Sequence, residues 1–324
     1  MLNALPDAVD SVDLQLLDAL VDEVETVFRG KRETVRLALA ALLARGHVLF
    51  EDIPGVGKTT LARALTAALG LDFRRIQFTS DLLPSDVLGV SIYNPRTHEF
   101  ETRPGPIFTH VVLADEINRA PPRTQSGLLE AMQEGRVTID ERSFELPHPF
   151  VVMATQNPLE QHGTYPLPES QLDRFLMRLS IGYPDAEDER GVLLQSVGVG
   201  DPLERMRPVL DAGRVLALQA QVERVHADAS LVDHLMAIVH ATRAEPRLRA
   251  GASTRAAIGL FRAARAYALV DGRDFLAPDD VRRLVVPCLA HRLLPAGASS
   301  STGEAYDETV AVLDDIVAAL PVPV

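Results

Sequence analysis

The apolar positions of the chain change rhythm twice. Val12, Leu16, Leu17, Leu20, Val24 and Val27 recur at helical spacing, which predicts an amphipathic helix over 7–28 that Gly30 breaks. A second helix is predicted over 33–44, ending at Gly46. Short apolar runs then take over, at 47–50, 111–114, 150–154 and 179–181, and 73–78 alternates loosely. Short runs bounded by turn residues predict strands, and the continuous ones predict strands buried on both faces. Helical patterns separate them at 61–69, 82–87, 123–134 and 170–177. Strands alternating with helices predict a parallel α/β sheet. Two stretches alternate apolar and polar around polar turns: 89–93 with 98–102, and 137–139 with 144–146. Both predict hairpins.

After Tyr183-Pro184 only helical periodicity remains, at 186–195, 215–224, 229–242, 253–270, 279–292 and 308–320. The small-residue stretch 296–302 predicts a loose surface loop. The expected organisation is an α/β base over 1–184 and a helical domain over 185–324.

Composition narrows the function classes. The chain has 324 residues, 47% hydrophobic and 24% charged, enough for about two domains with ample cores. A net charge of −13 argues against a broad nucleic-acid-binding surface, which needs basic residues to displace counterions. The single Cys288 excludes an intrachain disulfide, fits a reducing compartment and is expected in a helix core. Met1–Asp10 lacks a basic-then-apolar signal, and the most apolar helical run, 37–44, is too short to span a bilayer. A cytoplasmic protein without membrane insertion is expected. The histidines show no metal-ligand spacing.

One stretch carries recognisable chemistry: Glu51-Asp52-Ile53-Pro54-Gly55-Val56-Gly57-Lys58-Thr59-Thr60. It follows a predicted strand and opens a predicted helix, the setting of a phosphate-binding loop. Gly55 and Gly57 let backbone N–H groups approach phosphate oxygens, and the helix presents its positive end to them. Lys58 would reach the β- and γ-phosphates, and Thr59 would offer its hydroxyl to Mg²⁺. Asp52 departs from the pattern G-x-x-x-x-G-K-[ST], which has glycine there. An acid at that position must turn away from the phosphates.

The apolar run 111–114 ends in Asp115-Glu116, placing two carboxylates at the carboxyl edge of the sheet, where ligands bind in such folds. Asp115 would hold Mg²⁺, and Glu116 would polarise a water for attack on the γ-phosphate. Asn157, after the strand at 150–154, has two readings from the residues alone: an amide that orients the water, or the start of a turn before Pro158. Arg119 and Arg123 would line a subunit contact or pair locally with Glu116 or Glu130; the contact is preferred. Tyr93 and Phe100 would face a substrate in a pore or pack on their own hairpin.

Together, Pro54–Thr59, Asp115-Glu116-Ile117-Asn118-Arg119-Ala120, Ala154-Thr155-Gln156-Asn157-Pro158 and Leu172-Asp173-Arg174-Phe175 resemble the MoxR-type AAA+ ATPases. The resemblance spans about 21–294. The hairpins resemble the helix-2 insert and pre-sensor-1 hairpin of that branch, which includes the magnesium chelatase ATPase subunit. It implies a P-loop AAA+ base with a C-terminal all-α lid, hydrolysing ATP with Mg²⁺ as a homo-oligomeric ring, most simply a hexamer. It assigns Asn157 to sensor 1, Arg174 to an arginine finger acting on the next subunit (Arg178 a weaker candidate), and Arg255 to sensor 2, contacting the γ-phosphate from the lid. Ser253 is a plausible N-cap for the helix that carries Arg255. The segment Phe28-Arg29-Gly30-Lys31 resembles the family's adenine-contacting loop. The resemblance further implies chaperone-like remodelling or metal-insertion assistance, with von Willebrand factor A domain proteins as frequent partners. A DNA-acting or chelatase motor of the same branch, and a nucleotide-gated scaffold with little turnover, are the alternatives.

Overall fold

The computed structural model describes residues 11–140, 142–158, 163–196, 200–297 and 302–323. The expected start of the first helix at Asp7 and most of the loop at 296–302 fall outside these residues. In chain order the base contains α1 (Ser11–Glu25), α2 (Arg32–Leu43), β1 (Val48–Glu51), α3 (Lys58–Ala68), β2 (Phe73–Gln77), α4 (Pro84–Leu88), β3 (Gly89–Asn94), β4 (Glu99–Pro104) and β5 (Val111–Asp115). It continues with α5 (Pro122–Glu134), β6 (Arg136–Ile139), β7 (Arg142–Glu145), β8 (Val151–Gln156), α6 (Glu169–Leu172) and β9 (Met177–Leu179).

Five strands form one parallel sheet in the order β2-β5-β8-β1-β9. Alternation along the strands divides their side chains between two cores. Val48, Phe50, Val111, Leu113 and Met153 join α1, α2 and α3 on one face. Leu49, Val112, Ala114, Val152 and Ala154 join α5 on the other. Covering both faces is what makes these strands read as continuous apolar runs. The hairpins β3–β4 and β6–β7 stand apart as two-stranded ribbons.

The helix expected over 170–177 is corrected. Only Glu169–Leu172 is helical, and Met177 already belongs to β9. Phe175 is fully buried, the Leu176 N–H donates to the His47 carbonyl at 2.8 Å, and Met177 pairs with Val48. Strand pairing and burial outweigh the local helical pattern. The last strand also ends at Leu179, before Ser180 and Ile181, and the Ile181 N–H bonds the Asp52 carboxylate rather than a neighbouring strand.

Beyond the base lie α7 (Ala186–Ser196), α8 (Ala212–Val222), α9 (Ala229–Ala244), β10 (Leu248–Ala250), α10 (Thr254–Val270), α11 (Pro278–Leu289), β11 (Leu294–Pro295) and α12 (Thr302–Ala319). The pairing of β10 with β11 was not legible in the helical periodicity. Ser253 caps α10 as expected, its Oγ accepting from the Ala256 N–H at 3.1 Å. Cys288 is fully buried, and burial pushes its thiol up to about 12, so it is unreactive. The helical domain docks on α2: Arg262 donates to the Ala44 carbonyl, Gln219 to Leu42, and Arg283 pairs with Glu33.

His47 closes the amino end of β1. Its Nδ1 accepts from the Val152 N–H and its Nε2 donates to the Met132 carbonyl, each at 3.0 Å. A proton on Nδ1 would face that N–H, so the ring must stay neutral. Burial lowers His47 from 6.5 to about 4. His291, lowered by burial and by Arg292 to about 3, acts in the same direction. The unfolded chain binds protons to these rings first as pH falls. Stability should therefore be intact above pH 6.5 and should decline from there to about 4, by roughly 3 kcal/mol for His47 alone. Denaturant unfolding of wild type and His47→Gln across this window checks it; equal acid slopes would contradict the assignment.

Candidate active site

The phosphate loop joins β1 to α3, and two of its glycines hold backbone angles that favour glycine: Gly55 at φ 87° and Gly57 at φ 94°. Gly57 caps α3, so the first turn, carrying Lys58, Thr59 and Thr60, points its free N–H groups into the loop. Val56 is buried and anchors the loop to the core, while Pro54 and Gly55 lie nearer the surface. The Lys58 ammonium bonds the loop's own carbonyls, Asp52 O at 2.5 Å and Ile53 O at 3.1 Å. Burial lowers Lys58 from its ordinary value, and the charges of Asp52, Asp115, Glu116 and Glu51 oppose that fall. The fold thus gathers four carboxylates around this ammonium.

The acids are held by residues that the motif alone does not identify. Thr155 Oγ donates to Asp115 Oδ1 at 2.6 Å and accepts from the Glu116 N–H at 2.8 Å, fixing both acids from β8. On β2, Arg75 binds Asp115 Oδ2 at 2.5 Å, and Gln77 donates to Glu116 Oε2 at 2.7 Å. Gln77 stands opposite Asp115 in the strand register, and only that pairing brings it to the site. Glu116 itself adopts a left-handed conformation, φ 56° and ψ 51°, which turns its side chain off the strand direction. Arg119 pairs with Glu116 Oε2 at 3.2 Å, one of the two local partners weighed for it. Arg123 is exposed.

Asn157 is nearly buried directly after β8, the strand between β5 and β1. It therefore stands between the Asp115-Glu116 pair and the start of the phosphate loop, where the Asp52 N–H bonds the Gln156 carbonyl. Phe28 reaches the loop from the other side: a Cβ on Gly57 would come within 3.0 Å of its ring. Gly30, at φ 72°, packs so closely on Asp188 that a Cβ would come within 1.7 Å of the carboxylate. Lys31 donates to the Tyr183 carbonyl at 2.8 Å. The 28–31 segment thus bridges the phosphate loop and the passage to the helical domain.

No group of three or more His, Cys, Asp or Glu side chains able to hold a metal occurs among the described residues. A divalent ion here would draw most ligands from phosphate and water. The Asp115 carboxylate and Thr59 hydroxyl suit Mg²⁺, a hard ion that takes one or two protein oxygens.

Arg174 and Arg255 lie elsewhere. They share a groove with Arg45, Arg262, Arg292 and Asp173, and none of its lining residues belongs to 54–60. Gly46 and His47, at the amino end of β1, line it, whereas the phosphate loop leaves the carboxyl end. Four residues of strand separate the two, about 13 Å. Arg255, expected to contact the γ-phosphate from the lid, faces Asp173 at 3.5 Å within the chain, as does Arg292. Arg174 donates to the Leu129 carbonyl. Arg178, the weaker finger candidate, pairs with buried Glu51 at 2.8 Å and lies 3.5 Å over the Tyr306 ring. Tyr93 and Phe100 pack on each other across their hairpin, 5.4 Å between centroids, with 47% and 66% of their surfaces exposed. A separate cavity of about 730 Å³, lined by Glu51, Arg178, Leu172, Leu294 and Tyr306, contains no residue of 54–60.

A phosphate loop and an acid pair on the parallel strands that flank β8, followed by a helical lid, define an AAA+ type P-loop ATPase fold. A profile described as "ATPase family associated with various cellular activities (AAA)" matches residues 47–177, and an AAA lid domain profile matches 240–316. The chain is 51% identical to YeaC of Bacillus subtilis over 95% of each chain. It is 42% identical to Chaperone MoxR1 of Mycobacterium tuberculosis, covering 88% of this chain and 77% of that one. A crystal structure from Cytophaga hutchinsonii superposes with a TM-score of 0.87 at 37% identity, over 97% of both chains. The chain belongs to the MoxR family of AAA+ ATPases.

Proposed function

We propose that this protein is an ATP hydrolase working as a homo-oligomeric ring, most simply a hexamer, that remodels or matures client proteins. The carrying observation is the split of its charged groups between opposite ends of β1. Lys58 and the acids gather at the carboxyl end, and Arg174 with Arg255 at the amino end. A site divided this way is completed when the arginine groove of one copy meets the phosphate loop of the next. Both arginines then act in trans, including Arg255.

In this reading the loop N–H groups and Lys58 bind the phosphates, and Glu116, steadied by Thr155 and Gln77, takes the proton from the attacking water. Asn157 orients that water or the γ-phosphate. Mg²⁺, when bound, neutralises charge on the β- and γ-oxygens. The two arginines of the adjacent copy stabilise charge developing on the transferred group. Adenine lies near Phe28 and Gly30. The chaperone name of a relative and the exposed hairpin aromatics support action on proteins, with von Willebrand factor A domain partners the first to test.

Phosphate release from Mg-ATP tests the enzyme reading. Wild type is expected to turn over, with a rate per chain that rises with protein concentration as the ring assembles. Lys58→Ala is expected to lose ATP binding. A flat baseline in wild type at every concentration would leave a nucleotide-gated scaffold instead.

A further inference from the structure

Asp52 replaces the first glycine of the phosphate-loop pattern, and the proposed chemistry does not use it. It is nonetheless one of the most heavily bonded acids of the base. Its side chain is almost buried, and its Oδ1 accepts from the Ile53 N–H at 2.8 Å. Oδ2 accepts three donors: Ser180 Oγ at 2.9 Å, and the Ile181 and Gly182 N–H groups at 2.7 Å. Burial alone would raise this carboxyl; the bonds from Gly182, Ile181, Ser180 and Ile53 outweigh it and hold it below the usual range.

Those donors lie where the chain leaves the sheet. β9 ends at Leu179, Gly182 turns with φ 67°, and Tyr183-Pro184 leads to α7. Tyr183 is tethered by Lys31. One residue before Asp52, Glu51 grips Arg178 of β9, and Arg178 stacks on Tyr306 of α12. Two successive residues at the end of β1 thus hold the last strand of the base and, through it, the lid. On the loop side, the backbone carbonyl of the same Asp52 is a partner of the Lys58 ammonium.

We infer that Asp52 is a positioning residue coupling phosphate occupancy at Lys58 to the base–lid passage at 180–184. This rests on the proposed ATP site. Phosphate draws the ammonium away from the carbonyls of Asp52 and Ile53. That removes the brace on the Asp52 backbone and loosens the carboxylate's hold on Ile181 and Gly182. The passage, and the lid angle with it, then responds to nucleotide without any contact between the nucleotide and the lid of the same chain.

Amide hydrogen exchange at saturating non-hydrolysable ATP analogue, against the nucleotide-free full chain, reads this directly. In wild type the Ile181 and Gly182 amides are expected to exchange about tenfold faster with nucleotide, an ordinary coupling size. Asp52→Asn keeps the shape but has one acceptor oxygen, so it cannot serve both Ile53 and the hinge donors. Its nucleotide-dependent difference at 181–182 is expected to vanish. A merely structural Asp52 would lower Tm in this variant and leave the difference intact, which overturns the proposal. Should Asp52→Asn not fold, Ser180→Ala removes one donor and should shrink the difference; an unchanged difference there overturns it too. A wild type that binds no nucleotide would overturn the ATPase reading together with this one. Binding with no change at 181–182 would overturn this one alone.

Discussion

Glu116→Gln is expected to stop turnover while leaving ATP bound. The substitution keeps the size of the side chain and its place beside Gln77 and Arg119 but removes the proton acceptor. General-base catalysis is worth on the order of 10²- to 10⁴-fold, so the steady-state rate should fall by that factor. Affinity for ATP should hold, because in the proposed reading Lys58 and the N–H groups opening α3, not Glu116, bind the phosphates. The left-handed backbone of Glu116 is fixed by the N–H bond to Thr155, which the substitution leaves in place. Phosphate release and retained radiolabelled ATP on the same sample check both halves. Undiminished hydrolysis would remove Glu116 from the chemistry. A variant locked with ATP also offers the best bait for a client.

Arg174→Ala is expected to have an effect of similar or greater size, by a different route. An arginine at the transferred phosphoryl contributes about 10³- to 10⁵-fold. Its position in the groove at the amino end of β1 places it out of reach of its own phosphate loop. Complementation separates this from misfolding. Rings mixed from Arg174→Ala and Glu116→Gln copies contain interfaces where an intact Glu116 meets an intact Arg174, and these should recover part of the rate. Arg174→Lys keeps a charge but loses the planar fork, and should recover little. Verified mixed rings with no recovery would exclude action in trans. The bond to the Leu129 carbonyl is a modest structural loss, so Tm should move little.

The legibility of this protein differed from element to element. The runs at 111–114 and 150–154 announced buried strands because both faces of the sheet are covered. Gly55, Gly57 and Lys58 announced a phosphate loop because few other tasks require that backbone freedom beside an ammonium. The stretch around Asp173 misled, since helical spacing continues through Phe175 and only pairing with β1 converts Met177 to strand. Arg75 and Gln77 carried no signal of their own, and Thr155 only its place in the stretch before Asn157. Each is an ordinary strand residue until the register sets it against Asp115 or Glu116.

Local backbone requirements and residue types are enough to specify a phosphate-loop pattern, an acid pair and a helical second domain. Tertiary structure alone decided which groups share a site. Strand order put Asn157 between loop and acids, the two ends of β1 parted Lys58 from Arg174 and Arg255, and the exit of β9 gave Asp52 its partners. The physical reason is that covalent spacing fixes neighbours only within a turn or a strand. Hydrogen-bond register and helix docking fix the rest.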